Sequence, residues 1–169
     1  MVAIHGVPTA GTQRLKTKPS RGRTMIALQL REFVDLVLDR GAINIDDVKF
    51  FQRDIVADAV LTRDDIDVLI ALDRAVPRRC EAFADLLVAL TVDFAVWQNR
   101  PTGYIDRDKA YWLVTTLSAG EGPTPTARRI AAEIVREAEG CDETLLTFAF
   151  DTALRPVSRA RRERRLLVS

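Results

Sequence analysis

Residues 42–76 lie on residues 104–138 at a constant offset of 62 with no gap. Ile43 meets Ile105, Asn44 meets Asp106, Asp46 meets Asp108, Phe51 meets Leu113 and Ile55 meets Leu117. Further along, Thr62 meets Thr124, Val68 meets Ile130, Leu72 meets Ile134 and Arg74 meets Arg136. With a four-residue insertion, Val34-Asp35 also meets Val92-Asp93. Identities are few. Helix-capping residues, loop breaks and apolar positions nevertheless coincide in order, and that restricts the fold. A chain that repeats its helix starts and its buried faces is expected to pack two like units, about 33–76 and 91–138, into one core with pseudo-twofold symmetry.

The local pattern within those units is helical. From Met25, the residues Ile26, Leu30, Phe33, Val34, Val37 and Leu38 recur on one face of a 3.6-residue period, and Gly41 ends the run. Asn44 and Thr62 read as N-caps of a second and a third helix, with acids in the first turns and Pro77 closing the third. Residues 79–97 are apolar nearly all round, which predicts a central helix covered on several sides. Asp106 caps a fifth helix, and Thr124 with Pro125 starts a sixth that Gly140 stops. A seventh is expected from about Asp142 to Leu154. No stretch alternates with period two. The expectation is an all-α domain of about seven helices over 25–154, with a basic arm at 1–24 and a basic tail at 155–169.

The charge follows the same division. Residues 1–24 carry Arg14, Lys16, Lys18, Arg21 and Arg23 and no acid. Residues 155–169 carry Arg155, Arg159, Arg161, Arg162, Arg164 and Arg165 against Glu163 alone. The whole chain is close to neutral at +1, so the body between these ends is acidic. Basic ends of this kind could bind nucleic acid or an anionic membrane by releasing counterions, or lie along the protein's own acidic surface. No aromatic is interleaved with the arginines, and no nucleic-acid recognition motif is visible.

The loops carry a second pattern. Asp39-Arg40-Gly41-Ala42-Ile43-Asn44, Asp58-Ala59-Val60-Leu61-Thr62, Thr102-Gly103-Tyr104-Ile105-Asp106 and Gly120-Glu121-Gly122-Pro123-Thr124 each place a small residue, an apolar residue and a cap in order. This is the layout of the second half of an EF-hand calcium loop. In the twelve-residue frame, Asp54, Asp58, Thr62 and Asp65 fall at oxygen-ligand positions 1, 5, 9 and 12. They are the candidate ligands for weakly held calcium or magnesium. Val56 and Ala59 stand where a ligand and a glycine are usual. The alternative is that Thr62 is a helix cap and Asp65 a first-turn acid, with no ion involved.

Residues Ala57-Asp58-Ala59-Val60-Leu61-Thr62-Arg63-Asp64-Asp65 resemble the "A-D-G-x-I-x-x-x-E" loop of the tellurite-resistance B-like (TerB-like) proteins, departing from it at the Gly and the final Glu. The resemblance covers about residues 25–154. It implies an all-helical domain of roughly seven helices with an internal repeat, and an association with metal ions and with stress-response complexes near membranes.

Chemistry is sparse elsewhere. The one histidine, His5, leaves no histidine-based catalytic apparatus, and no P-loop, GxGxxG, GxSxG or Cys-x-x-Cys motif occurs. No catalytic residue is expected and the protein is read as no enzyme. Cys80 and Cys141 make no disulfide framework and suit a reducing cytoplasm. Trp97, Tyr104, Tyr111 and Trp112 concentrate the large aromatics around one loop. They read as core packing first and as a partner-binding groove second. The expected function is protein–protein interaction, a scaffold role without catalysis. The alternatives are a divalent-metal responder and an association with nucleic acid or membrane through the tails.

Overall fold

A computed structural model describes residues 21–154 apart from 58, 59 and 99, and at 21–26 and 152–154 it describes the main chain alone. The element order is α1 (Arg21–Arg40), β1 (Ala42–Ile43), α2 (Ile45–Phe50) running on as a π-helix (Phe51–Val56), α3 (Arg63–Ala75) and β2 (Arg78–Arg79). Then follow α4 (Glu81–Val92) with its own π-helical continuation (Asp93–Gln98), β3 (Tyr104–Ile105), α5 (Arg107–Ser118), α6 (Pro125–Glu137), β4 (Gly140–Cys141) and α7 (Glu143–Leu154). The fold is all-α, as the periodicity predicts. No helix among the described residues is long and apolar enough to cross a membrane.

The helices start where the caps stand. Asn44 Oδ1 accepts from the Asp46 and Asp47 N–H groups at 2.9 and 3.0 Å, and Asp47 Oδ2 accepts from the Asn44 N–H at 2.8 Å. Asp106 accepts from the Lys109 N–H, and Thr124 from the Ala127 N–H. Each bond satisfies a donor that the first helical turn leaves open. Gly41 and Gly103, 62 residues apart, turn the chain out of α1 and out of the α4 continuation with φ of 64° and 81°. Such values suit glycine because it has no Cβ.

Two short parallel bridges were not legible as strands. Ala42 and Ile43 pair with Arg78 and Arg79, and Tyr104 and Ile105 pair with Gly140 and Cys141. Two residues are too few to show a period of two. The offset of 62 carries one bridge onto the other residue for residue, and likewise carries α3 onto α6. The strand partners therefore sit before α4 and before α7. The 58–62 and 120–124 turns, grouped with the strand-bearing loops in the sequence, carry no strand among their described residues.

One further difference concerns a helix limit. Helix α1 begins at Arg21, so the segment 21–24 assigned to the arm is helical. The rest of the arm and the tail, with Arg14, Lys16, Lys18, Arg159, Arg161, Arg162, Arg164 and Arg165, lies outside the described residues, as do the side chains of Arg21 and Arg23.

Helix α4 lies at the centre. It packs on α2 and α3 from the first half and most extensively on α6 from the second. Phe83, Ala84, Leu87, Val88, Thr91 and Val92 are all buried along it. Helix α6 brings Ile130, Ala131 and Ile134, and α7 covers α5 and α6 with Leu145 and Ala149. Phe33 stacks at a tilt on Phe51, with ring centroids 5.0 Å apart.

Candidate functional site

The candidate metal ligands are engaged in local structure. Thr62 Oγ1 donates to Asp65 Oδ2 at 2.7 Å, the Thr62 N–H donates to the same oxygen at 2.8 Å, and the Asp65 N–H returns a bond to Thr62 Oγ1. That is a capping box at the start of α3. Asp54 is taken by its neighbour Arg53, Nη2 to Oδ2 2.7 Å, and this hydrogen bond above all holds its carboxyl below the usual range. Asp58 lies outside the described residues. Among the described residues no three His, Cys, Asp or Glu side chains gather as a metal site would require.

Burial separates Trp112 from the other three aromatics. Trp112 is buried, with its ring edge-on to Phe94 at 5.7 Å and the Arg63 guanidinium 4.9 Å above it. Its Nε1–H donates to Asp67 Oδ1 at 2.8 Å, and Thr116 Oγ1 donates to the same oxygen. A residue held this way fastens α3 to α5, and it offers no surface to a partner. Tyr104 is half exposed, and its ring lies where a side chain on Gly140 would stand. Tyr111 is exposed on the outer side of α5.

Trp97 occupies a different place. It is 45% exposed and closes one end of a groove of about 470 Å³ between α4, its π-helical continuation and α6. Asp85, Val88, Ala89, Val92 and Asp93 line one wall, and Arg129, Glu133 and Glu137 line the other at steps of four residues. The π-helix decides where the indole goes. Val92 and Trp97 are five residues apart, the π-helical repeat, whereas a continuing α-helix would place Val96 in line with Val92. Val96 instead enters the core. A hydrogen bond from Gln98 Nε2 to Asp93 Oδ2, at 2.6 Å and also five residues apart, fits the wider turn.

The rim is charged and internally paired. Arg129 spans the groove wall to Glu81 at 2.7 Å and to Asp85 at 2.6 Å. The hydrogen bond to Asp85 is the main cause holding its guanidinium above the ordinary range, with the charge of Glu81 adding to it. Arg136 pairs with Glu133 and, at 3.3 Å, with Glu137. Trp97 Nε1–H points at Glu137 Oε2 over a long 3.4 Å. The groove and its flanks thus hold Glu81, Asp85, Asp93, Glu133 and Glu137 against Arg129 and Arg136. Of the groove residues, sequence reasoning named Trp97 alone as a candidate for binding. The step of four from Arg129 to Glu133 to Glu137 marks one helix edge, but nothing in the sequence says that α4 runs alongside it.

A wider cleft of about 950 Å³ lies beside the β1–β2 bridge, lined by Arg40, Arg78, Arg79 and Cys80 among others. Arg40 is tied there to Asp47 and to the Ala42 carbonyl, and Arg79 to the buried Asp73 at 2.7 Å. Two of its three cations therefore serve the fold. Burial, followed by the charge of Asp142, pushes the Cys141 thiol up, which disfavours the reactive thiolate.

Compared with known proteins, the chain matches no family model, no curated protein and no solved structure.

Proposed function

We propose that this protein is a protein–protein interaction domain that acts by binding alone and docks its partner in the groove between α4 and α6. One observation carries the reading: a tryptophan stands 45% exposed above an apolar floor with a charged rim. Tryptophan is enriched among the residues that dominate binding energy, because it combines a large apolar face with an N–H donor. The Glu137 contact at 3.4 Å is long, so the indole N–H is readily given over to a partner's acceptor. The divalent-metal alternative ranks second. An ion at Asp54, Asp58, Thr62 and Asp65 would have to displace both the Arg53 pair and the capping box.

The test compares proteins retained at high salt by tagged full-length chain and by Trp97→Ala in the cells that make it. A partner held by the wild type and by Tyr111→Ala, and lost from Trp97→Ala, is the expected result. With that partner purified, Trp97→Ala should weaken binding by about 2 kcal/mol or more, roughly 30-fold in Kd. Equal retention by Trp97→Ala and wild type, with equal melting temperatures, overturns the reading.

A further inference from the structure

The same groove has an occupant within this chain. We propose that the C-terminal basic segment, residues 159–168, docks into the α4–α6 groove of its own molecule, its arginines on the acidic rim and its apolar end against Trp97. The inference rests on the reading above in taking this groove as a docking surface.

Three observations converge on it. The first is charge. Acids around the groove exceed bases by three, counting Glu81, Asp85, Asp93, Glu133 and Glu137 against Arg129 and Arg136. Residues 159–165 carry Arg159, Arg161, Arg162, Arg164 and Arg165 against Glu163. The rim pairs are largely solvent-exposed, so water and salt screen them and each contributes little. An incoming guanidinium can therefore replace Arg136 on Glu133 or Glu137 at little cost.

The second is pattern. Leu166, Leu167 and Val168 follow the arginines directly. The groove shows the same succession, a charged rim beside a floor of Val88, Ala89 and Val92 that ends at Trp97. A polybasic stretch meant for phosphate alone has no need of three apolar residues at its end.

The third is reach. Helix α7 ends at Leu154 and packs along α6, which is itself one wall of the groove. Residues 155–168 span up to about 46 Å when extended. A domain of this length is about 36 Å across. The N-terminal basic residues enter through α1, which packs on α3 and on the π-helix after α2. Of the two basic segments, the C-terminal one alone follows a helix that packs on a wall of the groove.

The experiment uses the full chain with Cys80→Ser and Cys141→Ser and a nitroxide attached through Ser169→Cys. Nuclear magnetic resonance then reads which amide signals lose intensity. At low salt we expect loss at Asp85–Asp93 and Arg129–Glu137 and none at Arg31–Arg40. Intensity should return in 1 M sodium chloride, where the Debye length is about 3 Å. It should also return when Arg161, Arg162, Arg164 and Arg165 are all changed to Gln. Loss at α1, uniform loss, no loss at low salt, or loss that survives the four Gln substitutions overturns the proposal. So does loss that appears when spin-labelled unlabelled-isotope chain is mixed with unlabelled-spin isotopic chain, which would make the occupant a second copy. No partner is present, so failure here leaves partner docking standing. Unchanged partner retention by Trp97→Ala overturns that reading and not this one.

Discussion

Thr62 and Asp65 illustrate how one pair of side chains can be assigned to two chemistries. Oxygens at the start of a helix suit a cation in sequence, but here each already bonds the other's main chain or side chain. Thr62→Ala should therefore destabilise the domain by about 0.5–2 kcal/mol, the range for a lost N-cap, measured by urea unfolding. Millimolar calcium or magnesium should leave the melting temperature where a chelator leaves it. Asp47 adds a pH dependence. Burial raises its pKa, but bonds from Arg40 and the Asn44 N–H outweigh that, so the folded value is below the ordinary 3.8. A depressed folded pKa stabilises the fold above the unfolded value and stops doing so as pH falls through the folded one. Asp47→Ala should be less stable than wild type at neutral pH by about 1 kcal/mol, and the gap should close as pH drops below 3.8. Unfolding curves for both proteins across that range check it.

At the scale of elements, Asp73 joins the two halves. It is 1% exposed on α3 and receives Arg79 Nε from β2 at 2.7 Å, with Thr124 and Thr126 hydroxyls from the start of α6 at 2.8 and 3.0 Å. Asp73→Ala strands a guanidinium and two hydroxyls, and should cost about 3–5 kcal/mol. Asp73→Asn, which keeps an acceptor, should cost less; thermal melts of both variants decide. This network was not legible, because an acid next to Leu72 reads as the edge of an apolar stripe until α6 is known to pass over it. Helix starts at Asn44, Thr62, Asp106 and Thr124 were legible, since a cap and its first turn are neighbours in sequence. The π-helical run after Val92 was not, and it turns the site. A period of 3.6 puts Val96 in line with Val92, while the wider turn buries Val96 and leaves Trp97 on the groove. The two tryptophans thus separate, one into the core with Asp67 and one onto the surface, although sequence spacing gives them equal standing.

For the molecule as a whole, α4 is common property. It closes the first half by packing on α2 and α3 and supports the second through α6. Neither half can bury its face without it, so heat or urea should unfold the described domain in one transition. Leu87→Ala, at a fully buried position of α4, should lower stability by about 2–5 kcal/mol without splitting that transition into two. Coincident circular dichroism and tryptophan fluorescence curves are the check. The acidic body and the basic ends act at this scale too: tail docking should weaken with salt, whereas a partner anchored on Trp97 should stay bound.

Because the groove is built on the helix that both halves share, whatever fills it braces the entire domain. A ligand present at a hundred times its Kd adds about 2.7 kcal/mol to global stability. An unknown partner can then be sought by screening candidates for a raised melting point of this chain, with Trp97→Ala run alongside as the control that should not respond.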